Sequence, residues 1–319
     1  MFCSLLETML TRKDWSDYYS GVPVIYNSSV SNWAGNYYIF SLAFKNLSSK
    51  ALRITASSST KVLVEHCNFD SISSTEYGGA IYLDSSGEYV GAYICASECK
   101  CNSYGHFVVA WTSDSKNAKN WHIQNSCSNC GTYGVGYGTQ CIFFGDGKLS
   151  NSNISSCQAS DRCAYINEQA SNITDDNFCQ LANNTASSSY VVKHYTGSQR
   201  NMRYMNIINN HITDYIIYSE SATVIITNCS LIDNSAAHVF YNDGGSFTVI
   251  TSYFENSGTI ANDISTISIS TAYFQVKLSF DTKNKCITNG KKNTSLETDE
   301  LRPESNVGVI LGVFLASLA

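Results

Sequence analysis

Residues 223 to 256 read TVIITNCSLIDNSAAHVFYNDGGSFTVITSYFEN, and the stretch says the same thing twice. An alternating apolar run (Thr223-Val224-Ile225-Ile226, then Phe247-Thr248-Val249-Ile250) leads to an aliphatic or aromatic residue two positions before an Asn (Ile232-Asp233-Asn234, then Phe254-Glu255-Asn256). Working outward, the same phrase recurs as Phe44-Lys45-Asn46, Phe69-Asp70-Ser71, Phe178-Cys179-Gln180 and Ile208-Asn209-Asn210, with weaker copies at Ser97, Cys127, Ile154 and Phe274. Phe44, Phe69, Phe178, Ile208, Ile232 and Phe254 serve as the repeat anchors. Successive copies lie 20 to 30 residues apart, about 26 on average. A period of that size is the signature of a repeat architecture.

The period-two alternation puts neighbouring side chains on opposite faces of a strand. A second short apolar run follows each anchor after a polar break, as in Ala80-Ile81-Tyr82-Leu83, Tyr215-Ile216-Ile217-Tyr218 and Val239-Phe240-Tyr241. Such a unit has no room for a crossover helix and cannot bury its apolar face alone. Leucine is too scattered for a leucine-rich horseshoe, and the unit is too short for a propeller blade. The expected fold is all-β: a single-stranded right-handed parallel β-helix of about nine to ten coils, with a short apolar C-terminal helix. Asn at equivalent turns of adjacent coils is expected to form amide ladders.

Gly78-Gly79-Ala80-Ile81, preceded by Cys67-Asn68-Phe69, resembles the GGA[ILV] and FxxN signatures of polymorphic outer-membrane-protein (Pmp-like) repeats, which also occur in surface proteins of parasitic protists. The resemblance covers residues 62 to 275, with one full copy of the glycine motif. It implies an extracellular β-helix with an adhesive or host-contact role.

Four segments follow from the pattern: an N-terminal cap or irregular segment (1–35), the β-helix (36–280), a polar linker (281–305) and an apolar C-terminal segment (306–319). Trp15, Tyr18, Tyr19, Tyr26, Trp33, Tyr37 and Tyr38 are expected to cover the open edge of the first coil, since solenoids need end caps. The last thirteen residues, 307–319, carry no charge. They are read as part of a transmembrane helix, with a lipid-anchor tail and a buried apolar tail as the other readings. The expected location is the cell surface or the medium, with the repeats outside the cell.

Seven Asn-x-Ser/Thr sequons, at Asn27, Asn46, Asn153, Asn172, Asn183, Asn228 and Asn293, are glycosylation candidates consistent with that compartment. Of the 13 cysteines, Cys67, Cys95 and Cys229 are read as inward packing residues at one repeat position. Some close pairs are read as disulfides. A zinc site at Cys127-x-x-Cys130 or around Cys95, Cys99 and Cys101 is the competing reading.

Net charge is −6 with scattered Lys and Arg, so no basic stripe exists to neutralise phosphates and nucleic acid is excluded as a partner. The six histidines form no paired metal-ligand motif, and the glycines at 131, 134, 136 and 138 lack a following helix to hold a phosphate. β-Helices also serve as polysaccharide lyases and hydrolases, for which Asp175-Asp176 and Asp161-Arg162 are the nearest carboxylate constellations. Catalytic residues, cofactors and metals are nevertheless expected to be absent. Host-cell protein or glycan and the membrane are the expected partners, with a polysaccharide-acting enzyme and a structural stalk as alternatives.

Overall fold

In the computed structural model, residues 14–26, 30–31, 35–85, 87–170, 174–196, 199–256 and 264–270 are described. The chain winds as a parallel β-solenoid, and each full coil lays down strands on three faces. In one representative coil the first face is Lys61–Glu65, the second Asn68–Asp70 and the third Ile81–Ser85. The next coil repeats them as Glu88–Ala92, Cys95–Ser97 and Val108–Trp111, each paired parallel and in register with its predecessor. The third face is a sheet of nine strands running from Val30–Ser31 to His238–Asp243. The all-β repeat architecture therefore holds. The C-terminal helix expected within 306–319 lies outside the described residues.

A single left-handed residue turns the chain from the first face to the second in every full coil. His66, Tyr93, Gln124, Asn151, Phe178, Tyr204 and Asn228 take φ between 48° and 55° there. The second face ends on another such series, including Asn46, Ser71, Glu98, Asn129, Ser156, Asn183, Asn209 and Asp233. Each such residue costs roughly 1–2 kcal/mol in backbone strain. The bend nonetheless keeps its backbone N–H in the ladder: His66 donates to Ala92 O at 3.1 Å, and Gln124 to Ser150 O at 2.8 Å. Uninterrupted pairing between coils offsets the strain.

The residue two positions before the second corner always points inward. This column runs Phe44, Phe69, Ala96, Cys127, Ile154, Leu181, Ile207, Leu231, Phe254. Phe44, Phe69 and Phe254 are therefore true anchors, whereas three others are corrected. Ile208 and Ile232 pair with each other one position further on, on the outward side, because those copies carry two consecutive apolar residues and the left-handed corner at Asn209 or Asp233 fixes which one turns in. Phe178 is itself a first-corner residue, with its ring stacked on Tyr204 at 4.9 Å and 5°.

The residue after the second corner also points inward, and here the amide ladder forms. Asn210 Nδ2 donates to Leu181 O and to Asn234 Oδ1, while Asn184 Nδ2 donates to Ile154 O and to Asn210 Oδ1. Backbone N–H groups join in, Asn184 donating to Asn210 Oδ1 and Asn210 to Asn234 Oδ1. The preceding three coils carry Cys99, Cys130 and Cys157 at this same position, where small buried thiols pack as modest hydrophobes. Cys67, Cys99, Cys101, Cys127, Cys130, Cys141, Cys157, Cys163, Cys179 and Cys229 are free thiols, contrary to disulfides among them. Cys67 and Cys229 share a column with Cys179. Cys95 stands one position along and pairs with Asn68.

The glycine motif has a steric cause. A Cβ on Gly79 would lie 1.9 Å from His106 O and 2.9 Å from Lys100 O, so two coils approach too closely there for any side chain. Gly79→Ala is expected to cost about 3 kcal/mol, the upper end of overpacking, read as a lower urea midpoint. Gly134 has φ +75° but open space around its Cβ position, so Gly134→Ala should cost only about 1–2 kcal/mol. Equal losses at the two positions would contradict this packing.

Trp15, Tyr18 and Tyr19 do not close the open edge of the first coil. The short helix Trp15–Tyr18, capped by Asp14, lies along the outer side of the first face. Its aromatics pack there with Tyr38, Leu63, Val90 and Ala92 from three successive coils. This flank is apolar enough to need a cover.

Candidate binding surface

Outward positions of the third face carry a ribbon of aromatic and charged side chains that runs along the solenoid. One column reads Tyr82, Val109, Cys141, Ile166, Lys193, Tyr218, Tyr241, and its neighbour two residues on reads Asp84, Trp111, Phe143, Glu168, Tyr195, Glu220, Asp243. Tyr77, Tyr104, Tyr137 and Arg162 join from the preceding loops. Coil stacking brings together residues that are far apart in sequence.

The rings touch one another in series. Tyr77 lies 5.2 Å from Trp111, Trp111 5.5 Å from Phe143, Phe143 5.9 Å from Tyr104, and Tyr104 4.9 Å from Tyr137. Further along, Tyr190 stacks on Tyr218 at 4.5 Å and Tyr215 on Tyr241 at 4.4 Å. Stacking along the row fixes the rings. Tyr77 and Tyr241 are 36% and 37% exposed. A surface already immobilised loses little side-chain entropy on contact.

Charges are seated among these rings. The Arg162 guanidinium lies 5.7 Å from the Tyr104 and Tyr137 rings and 5.6 Å from Tyr190, with Asp161 at 3.2 Å and Glu168 at 3.5 Å. The Lys193 ammonium lies 4.5 Å from the Tyr195 ring and 5.8 Å from Tyr218, with Glu168 at 3.0 Å and Glu220 at 3.6 Å. Burial, then the neighbouring Glu220, Tyr190 and Asp243, hold the Tyr218 phenol well above its ordinary range. That hydroxyl stays protonated and donates to these acids. Asp161-Arg162, the nearest acid-base pair in the sequence, is thus absorbed into an aromatic seat.

Asp175 and Asp176 cannot act together. They sit in the strand Thr174–Asn177, not in a turn, so alternation sends them to opposite sides. Asp175 accepts from Asn201 Nδ2 at 2.9 Å and faces Arg203 at 3.6 Å on the outside. Asp176 is fully buried and accepts from Leu149 N at 3.0 Å and from the Tyr165 hydroxyl at 3.1 Å. Burial raises its carboxyl to about 7. Nearby inside the coils stand Asn167, whose Nδ2 donates to the Tyr165 hydroxyl, the fully buried His194, and Arg200, which donates to Ala170 O and Thr196 O. This interior polar layer was invisible in the alternation pattern, which marks facing but not partners.

Three histidines are buried and neutral. Desolvation lowers His106 and His122 to about 4 and His194 to about 3. His106 Nδ1 accepts from Cys101 N at 3.2 Å beneath the loop that carries Gly131 and Gly136. That glycine cluster therefore lets a loop close over a buried ring. Among the described residues no group of three or more His, Cys, Asp or Glu side chains could hold a metal ion, Cys127 and Cys130 included.

Of the sequons, Asn46 and Asn183 are exposed at second-face corners and Asn228 is half-buried at a first-face corner. Asn153 is buried, and its Nδ2 donates to Ser126 Oγ and Ser155 Oγ. Asn27, Asn172 and Asn293 lie outside the described residues.

Comparison with known protein families, curated proteins and solved structures finds no match to this chain. The site must therefore be read from its own chemistry. Among the described residues no helix is long and apolar enough to cross a membrane, and 306–319 lies outside them.

Proposed function

We propose that the chain is a non-catalytic, cell-surface or secreted β-helical protein whose third face makes adhesive contact with a host-cell protein or glycan. In this reading a right-handed helix of about nine to ten coils is displayed outside the cell. The polar segment 281–305 spaces it from an apolar anchor helix within 306–319. The observation that carries the proposal is the aromatic and carboxylate ribbon, which runs over adjacent coils with its rings held by stacking and with Tyr77 and Tyr241 exposed. Tyr, Trp and Arg are the residues that dominate contact energetics when fixed in place. The Pmp-like motif at Gly78-Gly79-Ala80-Ile81 supports the same role.

The test is binding of the full chain to host cells and to protein and glycan arrays. Binding is expected, with a loss of about tenfold or more for Trp111→Ala combined with Tyr77→Ala. Absence of binding everywhere would favour a structural stalk. Release of reducing or unsaturated ends from acidic polysaccharides would favour an enzyme.

Compartment has its own test. Expressed in a glycosylating host, the protein should carry glycans at Asn46, Asn183 and Asn228, with Asn153 unmodified because its amide is buried and bonded. Peptide mass spectrometry reads the occupancy, and a glycan on Asn153 with bare corners would contradict it.

A further inference from the structure

The two cations of the ribbon already show how this face holds positive charge. Arg162 is held by the rings of Tyr104, Tyr137 and Tyr190 between Asp161 and Glu168. One coil on, Lys193 is held by Tyr195 and Tyr218 between Glu168 and Glu220. In each seat a cation meets aromatic rings and two carboxylates. The rings contribute through their quadrupole, and the acids through charge.

The following coils extend these surroundings past Lys193, which reaches Tyr218 and Glu220 but not Tyr215, Tyr241 or Asp243. Lys193 pairs in register with Tyr218 and Tyr218 with Tyr241, so tyrosine replaces the basic residue in that column. Glu220 pairs with Asp243, placing carboxylates on adjacent coils beside those rings. The Tyr218 hydroxyl donates toward Glu220 Oε2 at 3.3 Å and Asp243 Oδ2 at 3.4 Å, so a single proton serves two acids. Tyr215 completes the cluster, 4.4 Å from Tyr241 and 6.3 Å from Tyr218. Among the described residues no Lys or Arg side chain lies over Tyr215 or Tyr241, and none pairs with Asp243.

The geometry points to Tyr215, Tyr218, Tyr241, Glu220 and Asp243 as a seat for a guanidinium or ammonium side chain of a partner protein. The inference rests on the third face being the contact surface, and it names what that partner must present: a basic segment with an Arg or Lys that occupies this seat as Arg162 and Lys193 occupy theirs. Charge complementarity selects this occupant. An acidic sugar would meet Glu220 and Asp243, and the one cation beside the seat, Lys193, is already held by Glu168 and Glu220.

The experiment measures binding of an oligo-arginine peptide to the full chain by calorimetry at physiological ionic strength, with the neutral isostere oligo-citrulline as control. Oligo-arginine is expected to bind and oligo-citrulline not. Asp243→Asn and Tyr241→Ala should each weaken binding about tenfold, roughly 1.4 kcal/mol. Asp114→Asn, an exposed acid three residues past Trp111, whose strand position lies five coil steps from that of Asp243, should leave it unchanged. Equal affinity in all three variants would show general attraction to a negative chain and overturn the seat, as would no binding of oligo-arginine. Cell or array binding that persists, and remains sensitive to Trp111→Ala, while oligo-arginine fails would reject this inference alone. Loss of that sensitivity would reject the contact face itself.

Discussion

Lowering the pH from 7.5 to 5 is expected to destabilise the solenoid by about 3 kcal/mol, and two variants should move that loss in opposite directions. His106, His122 and His194 have folded-state values near 4, 4 and 3, below the ordinary imidazole value of 6.5. Each therefore contributes stability that is fully present above about 6.5 and is lost as pH falls toward its folded value. At pH 5 this amounts to about 2 kcal/mol per ring. Asp176 works the other way. Its carboxyl is raised from 3.8 to about 7, so the folded state holds a proton that the unfolded chain has released, and its contribution grows as pH falls from 7 toward 4. That offsets about 2–3 kcal/mol at pH 5.

Urea unfolding at the two pH values checks the sign residue by residue. His194→Leu should shrink the loss by about 2 kcal/mol, because the ring has no hydrogen-bond partner and the neighbouring Arg200 charge further opposes its protonation. Asp176→Asn should enlarge the loss by a similar amount. The Asn side chain still accepts from Leu149 N and the Tyr165 hydroxyl, so the fold has no other reason to weaken. A wild type equally stable at both values, or variants moving in the same direction, would contradict the buried neutral state assigned to these groups.

Asn210→Ala should cost about 3–5 kcal/mol, more than most single substitutions. Its Oδ1 accepts from both the backbone N–H and the side-chain Nδ2 of Asn184, and its own Nδ2 donates to Leu181 O and Asn234 Oδ1. Truncation leaves several buried polar groups without partners, at about 1–3 kcal/mol each. Cys130→Ala at the equivalent position of an earlier coil removes packing and a weak thiol hydrogen bond to Ser128 O at 3.5 Å, and should cost about 1 kcal/mol. Chemical denaturation of the two variants reads the contrast. Comparable losses would mean that the corner needs volume there and not amides.

Much of the coil was legible in the sequence because strand alternation and a repeat of about 26 residues are one-dimensional signals. Phe44, Phe69 and Phe254 could be placed by counting alone. Ile208 and Ile232 could not, because two adjacent apolar residues satisfy the pattern equally and only the left-handed corner decides between them. Phe178 misled for a related reason: an aromatic at positive φ is uncommon, and composition does not mark it. The ribbon was legible only as an excess of Tyr. Lys193 and its acids Glu168 and Glu220 are separated by a coil in sequence, and whether they meet depends on register. A useful signal would have been Glu220 two residues after Tyr218 and Asp243 two residues after Tyr241, once the third-face strands were aligned. The interior placement of Asp176 beside outward Asp175 follows from strand alternation, had the pair been assigned to a strand instead of a turn.

The solenoid itself is tested most directly by the distance between nitroxide labels at Lys45 and Ile232, which stand in one outward column seven coil steps apart. At about 4.8 Å per step the strand positions should be about 34 Å apart, and those of Lys45 and Ser155, four steps apart, about 19 Å. Narrow distributions near these values, in that ratio, are the expected result of pulsed electron resonance. Similar distances for the two pairs, or a broad distribution for the longer one, would contradict stacking of these coils in register.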